Sequence, residues 1–245
     1  MGKHELWDAF FDWKEKYEWV DLSHPLSPKT PHWEGFPTQG VSEFLNLDDS
    51  IFLVHEYTNV GQYGTHVDAP SHMLQNARSL DEIGVEEMIC PLCVIDKRAE
   101  VERDCDFIMR VSDIQSFEQE HGPIPEGAFV VFCSGWSKRN DLDNLDQDGN
   151  RHFPAWDMQA LQYLFEERKA GGIGHETSDT ESPLTSGKTN YDVERYVLAQ
   201  DKIQAELLAN VEKCPPMGAL IFVTFPKVVG GSGFPARCFA LCPKE

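Results

Sequence analysis

The chain has 245 residues, of which 41% are hydrophobic and 25% are charged, proportions typical of a globular protein with one ordinary core. Its 41 acidic residues outnumber its 21 basic residues and give a formal net charge of −20, which argues against nucleic acid and anionic lipid as partners. The sequence also contains no run of about 18 apolar residues that could cross a bilayer, so no membrane partner is expected.

The N-terminal residues 1–19 are predicted to form an amphipathic helix at the start of a single domain, residues 1–245. Trp7, Phe10 and Phe11 alternate there with charged residues, a pattern unlike the basic, apolar and small-residue order of a signal peptide. Seven cysteines without framework spacing are typical of reduced thiols in a cytosol. We therefore expect a cytoplasmic protein.

A predicted opening strand, residues 20–26, leads into a loop rich in proline and aromatic residues at positions 28–37. Trp33 lies in this loop. An aromatic side chain in such a loop either packs against the domain or contacts a ligand, so Trp33 is a candidate substrate-binding residue with packing as the alternative.

Short runs of β-branched and aromatic residues predict buried strands at 92–96, 128–133 and 218–225, and a last strand through Cys242. Ser112 and Gln115 form a plausible capping box for a helix between the first two. Asp157 is the predicted N-cap of another helix, which Gly171 and Gly172 would end.

Two further motifs are only weak evidence for a metal site. Cys90 and Cys93 have CxxC spacing but precede a strand and lack a second pair at zinc-ribbon distance. The acidic segment 141–150 resembles a calcium loop, yet with Gly149 in the sixth position the twelfth is Ala155 rather than the required Glu. A solvated acidic loop is the better interpretation.

The segment 61–72 is the most informative part of the chain. In an extended backbone Gln62, His66, Asp68 and His72 would project to the same side. His66 and Asp68 are about 6.6 Å apart at roughly 3.3 Å per residue, so both could reach one ion, whereas His72 could join them only if the chain bends after the proline at position 70. The pattern predicts a metal-binding loop.

The run Gln62-x-Gly-Thr-His66-x-Asp68-x-Pro-x-His72 resembles the signature of the cyclase family of metal-dependent hydrolases. The resemblance implies one α/β domain of the swivelling β/α/β type, assembled as a homodimer or homotetramer. Gln62 stands where the signature has its first histidine. An amide oxygen is a weaker ligand than imidazole, so the divalent cofactor is expected to be Zn or Mn without a choice between them.

Two later segments also resemble the family. Gly-His175-Glu-Thr-x-Asp-Thr is similar to members that carry Gln at the first motif position, and His175 is expected either to ligate the metal or to support a ligand from behind. Residues 203–212 resemble a segment whose leading glutamate ligates metal, which places Glu206 in that role. Glu194, twelve residues earlier, is a weaker candidate, and both glutamates could instead be solvated helix residues.

These residues predict hydrolysis of an amide, lactam, lactone or ester bond in a small cyclic or aromatic substrate, by attack of a metal-bound hydroxide. His72 is the candidate catalytic residue that moves protons, with direct ligation of the metal as the alternative. A metal-stabilised binding protein without catalysis and a lyase that uses the same metal are the two rival functions.

Overall fold

Four parallel strands form the middle of a nine-stranded sheet in the computed structural model, which describes residues 4–139 and 141–244. The strands of the described residues are β1 (Tyr17–Asp21), β2 (Gly40–Leu45), β3 (Val54–Thr58), β4 (His66–Asp68), β5 (Ile89–Asp96), β6 (Ile108–Met109), β7 (Phe129–Cys133), β8 (Ala155–Trp156), β9 (Gly172–His175), β10 (Ile203–Glu206), β11 (Ala219–Thr224), β12 (Gly233–Pro235) and β13 (Arg237–Pro243). The α-helices are α1 (Glu5–Lys16), α2 (Arg98–Arg103), α3 (Val111–His121), α4 (Met158–Gln162), α5 (Pro183–Thr189) and α6 (Asp192–Ala199).

The strand order in the large sheet is β1-β13-β11-β5-β7-β9-β10-β4-β12. Strands β5, β7, β9 and β10 run parallel to one another, and the outer strands pair antiparallel. Two small sheets, β2 with β3 and β6 with β8, lie outside this order. The α/β class predicted from the sequence is confirmed.

Strand β7 lies between two apolar cores, and each of its residues is buried. Phe129 and Val131 pack into one apolar core, while Val130 and Phe132 pack into a second core that contains residues of α3 and α4. Alternate side chains of a strand point to opposite faces of a sheet. A strand covered on both faces reads as a continuous apolar run, which explains why it could be predicted from sequence.

The strands that carry the polar residues of interest are neighbours. Strand β4 pairs antiparallel with β10, so that His66 lies opposite Glu206 and Asp68 lies opposite Gln204. Directly opposed residues project to the same face of the sheet. Strand β9 lies on the other side of β10 and ends at His175, so three strands bring their polar side chains to one place.

The N-terminal helix is shorter than predicted. Helix α1 begins at Glu5 and ends at Lys16, and the next residues form β1, which pairs with β13. Trp19 belongs to this strand and lies 5.8 Å from the ring of Phe239 across it. The prediction of helix through residue 19 was wrong because cross-strand packing outweighs helical periodicity there; residues 1–3 lie outside the described residues.

The predicted opening strand ends early, since β1 stops at Asp21. The capping box was also displaced: the N-cap of α3 is Arg110, whose backbone N–H donates to Asp113 Oδ2 at 2.9 Å. Asp157 does cap α4, by accepting from the Gln159 N–H. That helix continues as a π-helical turn to Glu167, well before the two glycines predicted to end it.

Among the described residues, the structure contains no helix with the length and apolar character needed to cross a membrane.

Candidate active site

The segment 61–72 bends where the sequence predicted a bend. Only β4 is extended, and a 3-10 turn, Pro70–His72, follows it. Gly233 of β12 lies opposite Asp68, where a Cβ atom would collide with the amide of Gln62. The close approach of β12 therefore requires glycine at this position.

His66 is buried and faces two carboxylates. Its Nε2 atom lies 3.6 Å from Asp68 Oδ2 and 3.5 Å from Glu206 Oε2. Its Nδ1 atom is 2.8 Å from the Gly64 carbonyl, and a carbonyl can only accept, so Nδ1 carries the hydrogen. In the neutral ring, the Nε2 lone pair then points at the carboxylates, which is the orientation of a metal ligand.

The carboxylates of Asp68, Glu194 and Glu206 share the side-chain amide of Gln204. Gln204 Nε2 lies 3.1 Å from Asp68 Oδ2, 3.2 Å from Glu194 Oε1 and 3.0 Å from Glu206 Oε1. An amide nitrogen has two hydrogens, so it cannot satisfy three acceptors fully. Asp68 Oδ1 is buried and has no hydrogen-bond partner among the described residues.

The electrostatics of this group reflect its crowding. Burial raises the pKa values of Glu206 and Glu194 well above their usual range, and the nearby charge of Asp68 raises both further. Burial also acts to raise the pKa of Asp68, but the positive charge of His66 in its protonated form outweighs it and lowers that pKa to about 2. Buried anions of this kind need a positive partner.

His72 belongs to a second group that overlaps the first. The donor atoms of Asp68, His72 and Glu194 lie within 4.8 Å of one another, as do those of His66, Asp68 and Glu206. His72 Nε2 is 3.6 Å from Glu194 Oε1, and Gln62 Nε2 is 3.2 Å from His72 Nδ1. An amide nitrogen only donates, so Nδ1 accepts and Nε2 carries the hydrogen that faces Glu194.

His175 lies at the end of β9 and is buried. Its Nδ1 atom contacts the Thr177 carbonyl at 3.1 Å, and its Nε2 atom lies 3.5 Å from Glu206 Oε1 and 3.3 Å from Thr180 Oγ1. Burial lowers the pKa of His175 to about 4, which keeps the imidazole neutral at physiological pH. The structure thus brings His175 to the carboxylate of Glu206.

A cavity of about 200 Å³ opens directly above the carboxylates. Its lining consists of aromatic, apolar and polar side chains from several elements: Trp33, Phe36, Gln62, His66, Asp68, His72, Met73, Ser178, Asp179, Tyr191, Glu194, Glu206 and Leu207. Trp33 packs edge-on against Phe36, with 4.9 Å between ring centroids, so its indole packs against the loop and also borders the cavity.

Sequence reasoning missed part of this site. Glu206 lies in a strand and Glu194 in α6, and both are buried, so the alternative that treated them as solvated helix residues was wrong. Gln204 was not singled out at all. Its spacing of two residues from Glu206 places both on one face of a strand, and that signal could have identified it.

Comparisons with known proteins show the family to which the chain belongs. The family described as "Putative cyclase" matches residues 20–182. An isatin hydrolase of Roseibium aggregatum is 30% identical, over 93% of this chain and 92% of its own length.

Two solved structures have nearly the same fold. Isatin hydrolase A from Labrenzia aggregata bound to benzyl benzoate has a TM-score of 0.91 and 28% identity, covering 98% of this chain and 100% of that one. An isatin hydrolase bound to the product analogue thioisatinate has a TM-score of 0.91 and 26% identity, with 100% of both chains covered. The chain therefore belongs to the cyclase family and is a homologue of isatin hydrolases.

Proposed function

We propose that this protein is a metal-dependent hydrolase that opens the ring of a small aromatic lactam such as isatin, or cleaves a related amide, lactone or ester. The observation that carries the proposal is the set of buried carboxylates that compete for one amide donor at the base of a cavity. Such a set is costly to maintain unless a cation neutralises it. No catalytic motif of another class was found in the sequence.

The residues fit a divalent cation. His66, Asp68 and Glu206 would hold it, because the His66 lone pair and carboxylate oxygens converge and Asp68 Oδ1 lacks a partner among the described residues. Nitrogen and carboxylate donors suit Zn²⁺ or Mn²⁺. When bound, such a cation polarises a carbonyl group and lowers the pKa of a coordinated water. Direct contact of Gln62 and His175 with the cation stays a prediction.

His72 is the residue that we propose to move protons. Its imidazole borders the cavity, is oriented by the Gln62 amide and has Glu194 behind its Nε2 atom. A carboxylate near an imidazole stabilises the imidazolium that forms when the ring takes a proton. His72 would accept a proton from the attacking water at Nδ1, once the Gln62 amide no longer donates to that atom, and return it to the leaving nitrogen or oxygen.

The aromatic wall of the cavity supports an aromatic substrate. Trp33 and Phe36 form one side of it, and Tyr191 borders it as well. Flat rings pack favourably against such side chains. The related isatin hydrolase that was solved with thioisatinate favours a bicyclic lactam among the possible substrates.

We also propose that two or four copies of the chain assemble through the hairpin of β2 and β3. Every residue of both strands is exposed, and Phe44, Ile51 and Phe52 expose 71%, 83% and 59% of their surface. A lone two-stranded hairpin is only marginally stable in water, and an apolar patch of this extent is typical of an interface. A second copy of the chain is the partner that the family resemblance supports.

Sedimentation of the wild type and of a Phe44→Ser, Ile51→Ser variant tests this assembly. The wild type should sediment as a dimer or tetramer, and the variant should shift towards the monomer. A monomeric wild type at micromolar concentration would contradict the proposed interface.

A cytoplasmic location completes the proposal. All seven cysteines are free in the structure, which is typical of a reducing compartment.

A panel of isatin, N-formyl aromatic amines and aromatic lactones, assayed after chelation and after return of Zn²⁺ or Mn²⁺, tests the proposed activity. We expect ring opening of at least one cyclic substrate, loss of turnover with chelator, and recovery with metal. Asp68→Asn should be inactive under all conditions, while Asp21→Asn, which lies outside the cavity, should behave like the wild type. Bound metal without turnover of any carbonyl compound would favour a binding protein instead.

A further inference from the structure

A second group of metal-ligating side chains lies outside the cavity just described. It consists of Cys105 and Asp106, just before β6, and His152, just before β8. One donor atom from each lies within 4.8 Å of the other two. We propose that Cys105, Asp106 and His152 form a separate binding site for a borderline divalent cation such as Zn²⁺.

The contacts of His152 match those of a metal-ligating histidine. Its Nδ1 atom lies 2.8 Å from Asp106 Oδ2, and its Nε2 atom lies 3.3 Å from Asp146 Oδ2. Histidines that bind metal through one nitrogen commonly donate the other N–H to a carboxylate, which orients the ring and makes the ligating nitrogen more basic. Asp146 would fill that supporting role while Nδ1 faces the cation.

The spacing requires only a small adjustment. In a tetrahedral zinc site with metal to nitrogen and oxygen distances of about 2.0 Å, the two donor atoms are about 3.3 Å apart. The present separation of 2.8 Å between His152 Nδ1 and Asp106 Oδ2 would widen by about half an ångström. The hydrogen bond between imidazole and carboxylate would thus be replaced by two bonds to the cation, and its proton would be released to solvent.

Two further features favour a cation here. Asp106 Oδ1 is buried and has no hydrogen-bond partner in the part of the chain that the structure describes. The neighbouring segment 141–150 contains four aspartates and no basic residue, so its charge attracts cations. A thiolate, an imidazole and a carboxylate together favour Zn²⁺ over Mg²⁺ or Ca²⁺.

The site would tie the acidic loop to the rest of the domain. Strands β6 and β8 pair with each other, and the group closes the end from which both strands begin. The residue before His152 is Arg151, whose guanidinium lies 3.0 Å from Asp179, a residue of the cavity wall. A cation at Cys105, Asp106 and His152 would therefore hold the segment that positions Asp179.

Cobalt(II) distinguishes this site from the active site because only a thiolate ligand produces sulfur-to-cobalt charge-transfer absorption, and no cysteine lines the cavity. Metal-free protein titrated with Co²⁺ should develop this absorption, and excess Zn²⁺ should abolish it. Asp68→Asn should retain the absorption, so failure of the proposed hydrolase function would not affect this result. Cys214→Ser serves as the matched control and should also retain it.

Cys105→Ser should lose the absorption, and His152→Ala should weaken the apparent Co²⁺ affinity at least about tenfold, with circular dichroism used to check that both variants fold. Absence of thiolate absorption in the wild type would overturn the proposal. Absorption that survives Cys105→Ser, or an affinity that His152→Ala leaves unchanged, would overturn it equally.

Discussion

Two buried carboxylates at the ends of neighbouring strands have opposite hydrogen-bonding environments. Glu176, directly after β9, accepts hydrogen bonds from the Ser134 N–H at 2.7 Å, the Ser134 hydroxyl at 3.1 Å, the Gly135 N–H at 2.6 Å and the Ser137 hydroxyl. Glu206, in the adjacent strand, must share one amide with two other carboxylates. The chain itself satisfies Glu176 and leaves Glu206 and the two carboxylates beside it short of donors.

The difference shows how burial alone fails to identify function. Glu176 and Glu206 are both buried, but Glu176 has several donors, whereas burial and the neighbouring charges of Asp68 and Glu194 raise the pKa of Glu206 well above its usual range. A carboxylate with several donors is a structural anchor. A group of carboxylates with too few donors is a site that a cation can complete.

The largest effect should come from removing the shared carboxylate. Asp68→Asn takes a negative charge from beside the cation and should lower both metal content and kcat/KM, the latter by about a thousandfold or more. Metal analysis and steady-state kinetics measure the two quantities. Full metal content in Asp68→Asn would mean that the cation binds elsewhere.

His72→Ala should separate proton transfer from metal binding. We expect the cation to remain while the rate falls by about 10²- to 10⁴-fold. His121→Ala is the control, because His121 ends α3 and does not line the cavity. It should leave the metal content and the rate unchanged. If His72→Ala loses the metal as Asp68→Asn does, His72 is a ligand.

Glu176→Ala attacks the satisfied carboxylate. The buried N–H and hydroxyl donors of Ser134 and Gly135 would lose their acceptor, so we expect a loss of about 3 kcal/mol in the free energy of unfolding. Urea unfolding measures it. The folded fraction should still bind metal, and a stability equal to that of the wild type would show that Glu176 is not an anchor.

Glu206→Gln should change the stability of the metal-free protein by an amount that depends on pH. Because the folded pKa of Glu206 lies above its ordinary value of 4.5, the metal-free wild type should lose stability as the pH rises above 4.5, at up to about 1.4 kcal/mol per pH unit. Glu206→Gln removes this ionisation and should reduce the slope. Unfolding at pH 5 and pH 7.5 in chelator gives the comparison, and identical slopes would contradict it.

The sequence was most informative where a single local pattern is enough to identify a structural element or a site. The apolar run of β7 and the twelve-residue segment around His66 could be recognised without the fold, because burial on both faces and close ligand spacing leave a direct pattern. The shared contact of Gln204 and Glu194 could not be predicted, since it depends on strand β10 pairing with β4 and on α6 packing beside it. Likewise, Trp19 joined a strand because of partners more than two hundred positions away.

The most direct test asks whether the carboxylates of Asp68, Glu194 and Glu206, which have too few hydrogen-bond donors, bind a cation. It compares calorimetric titrations of the chelated wild type and of Asp68→Asn with Zn²⁺ and Mn²⁺. We expect the wild type to take up at least one more equivalent of Zn²⁺ or Mn²⁺ than the variant does. Hydrolytic activity should return in step with this uptake. Equal uptake by the two proteins, or full activity in the chelated wild type, would contradict it.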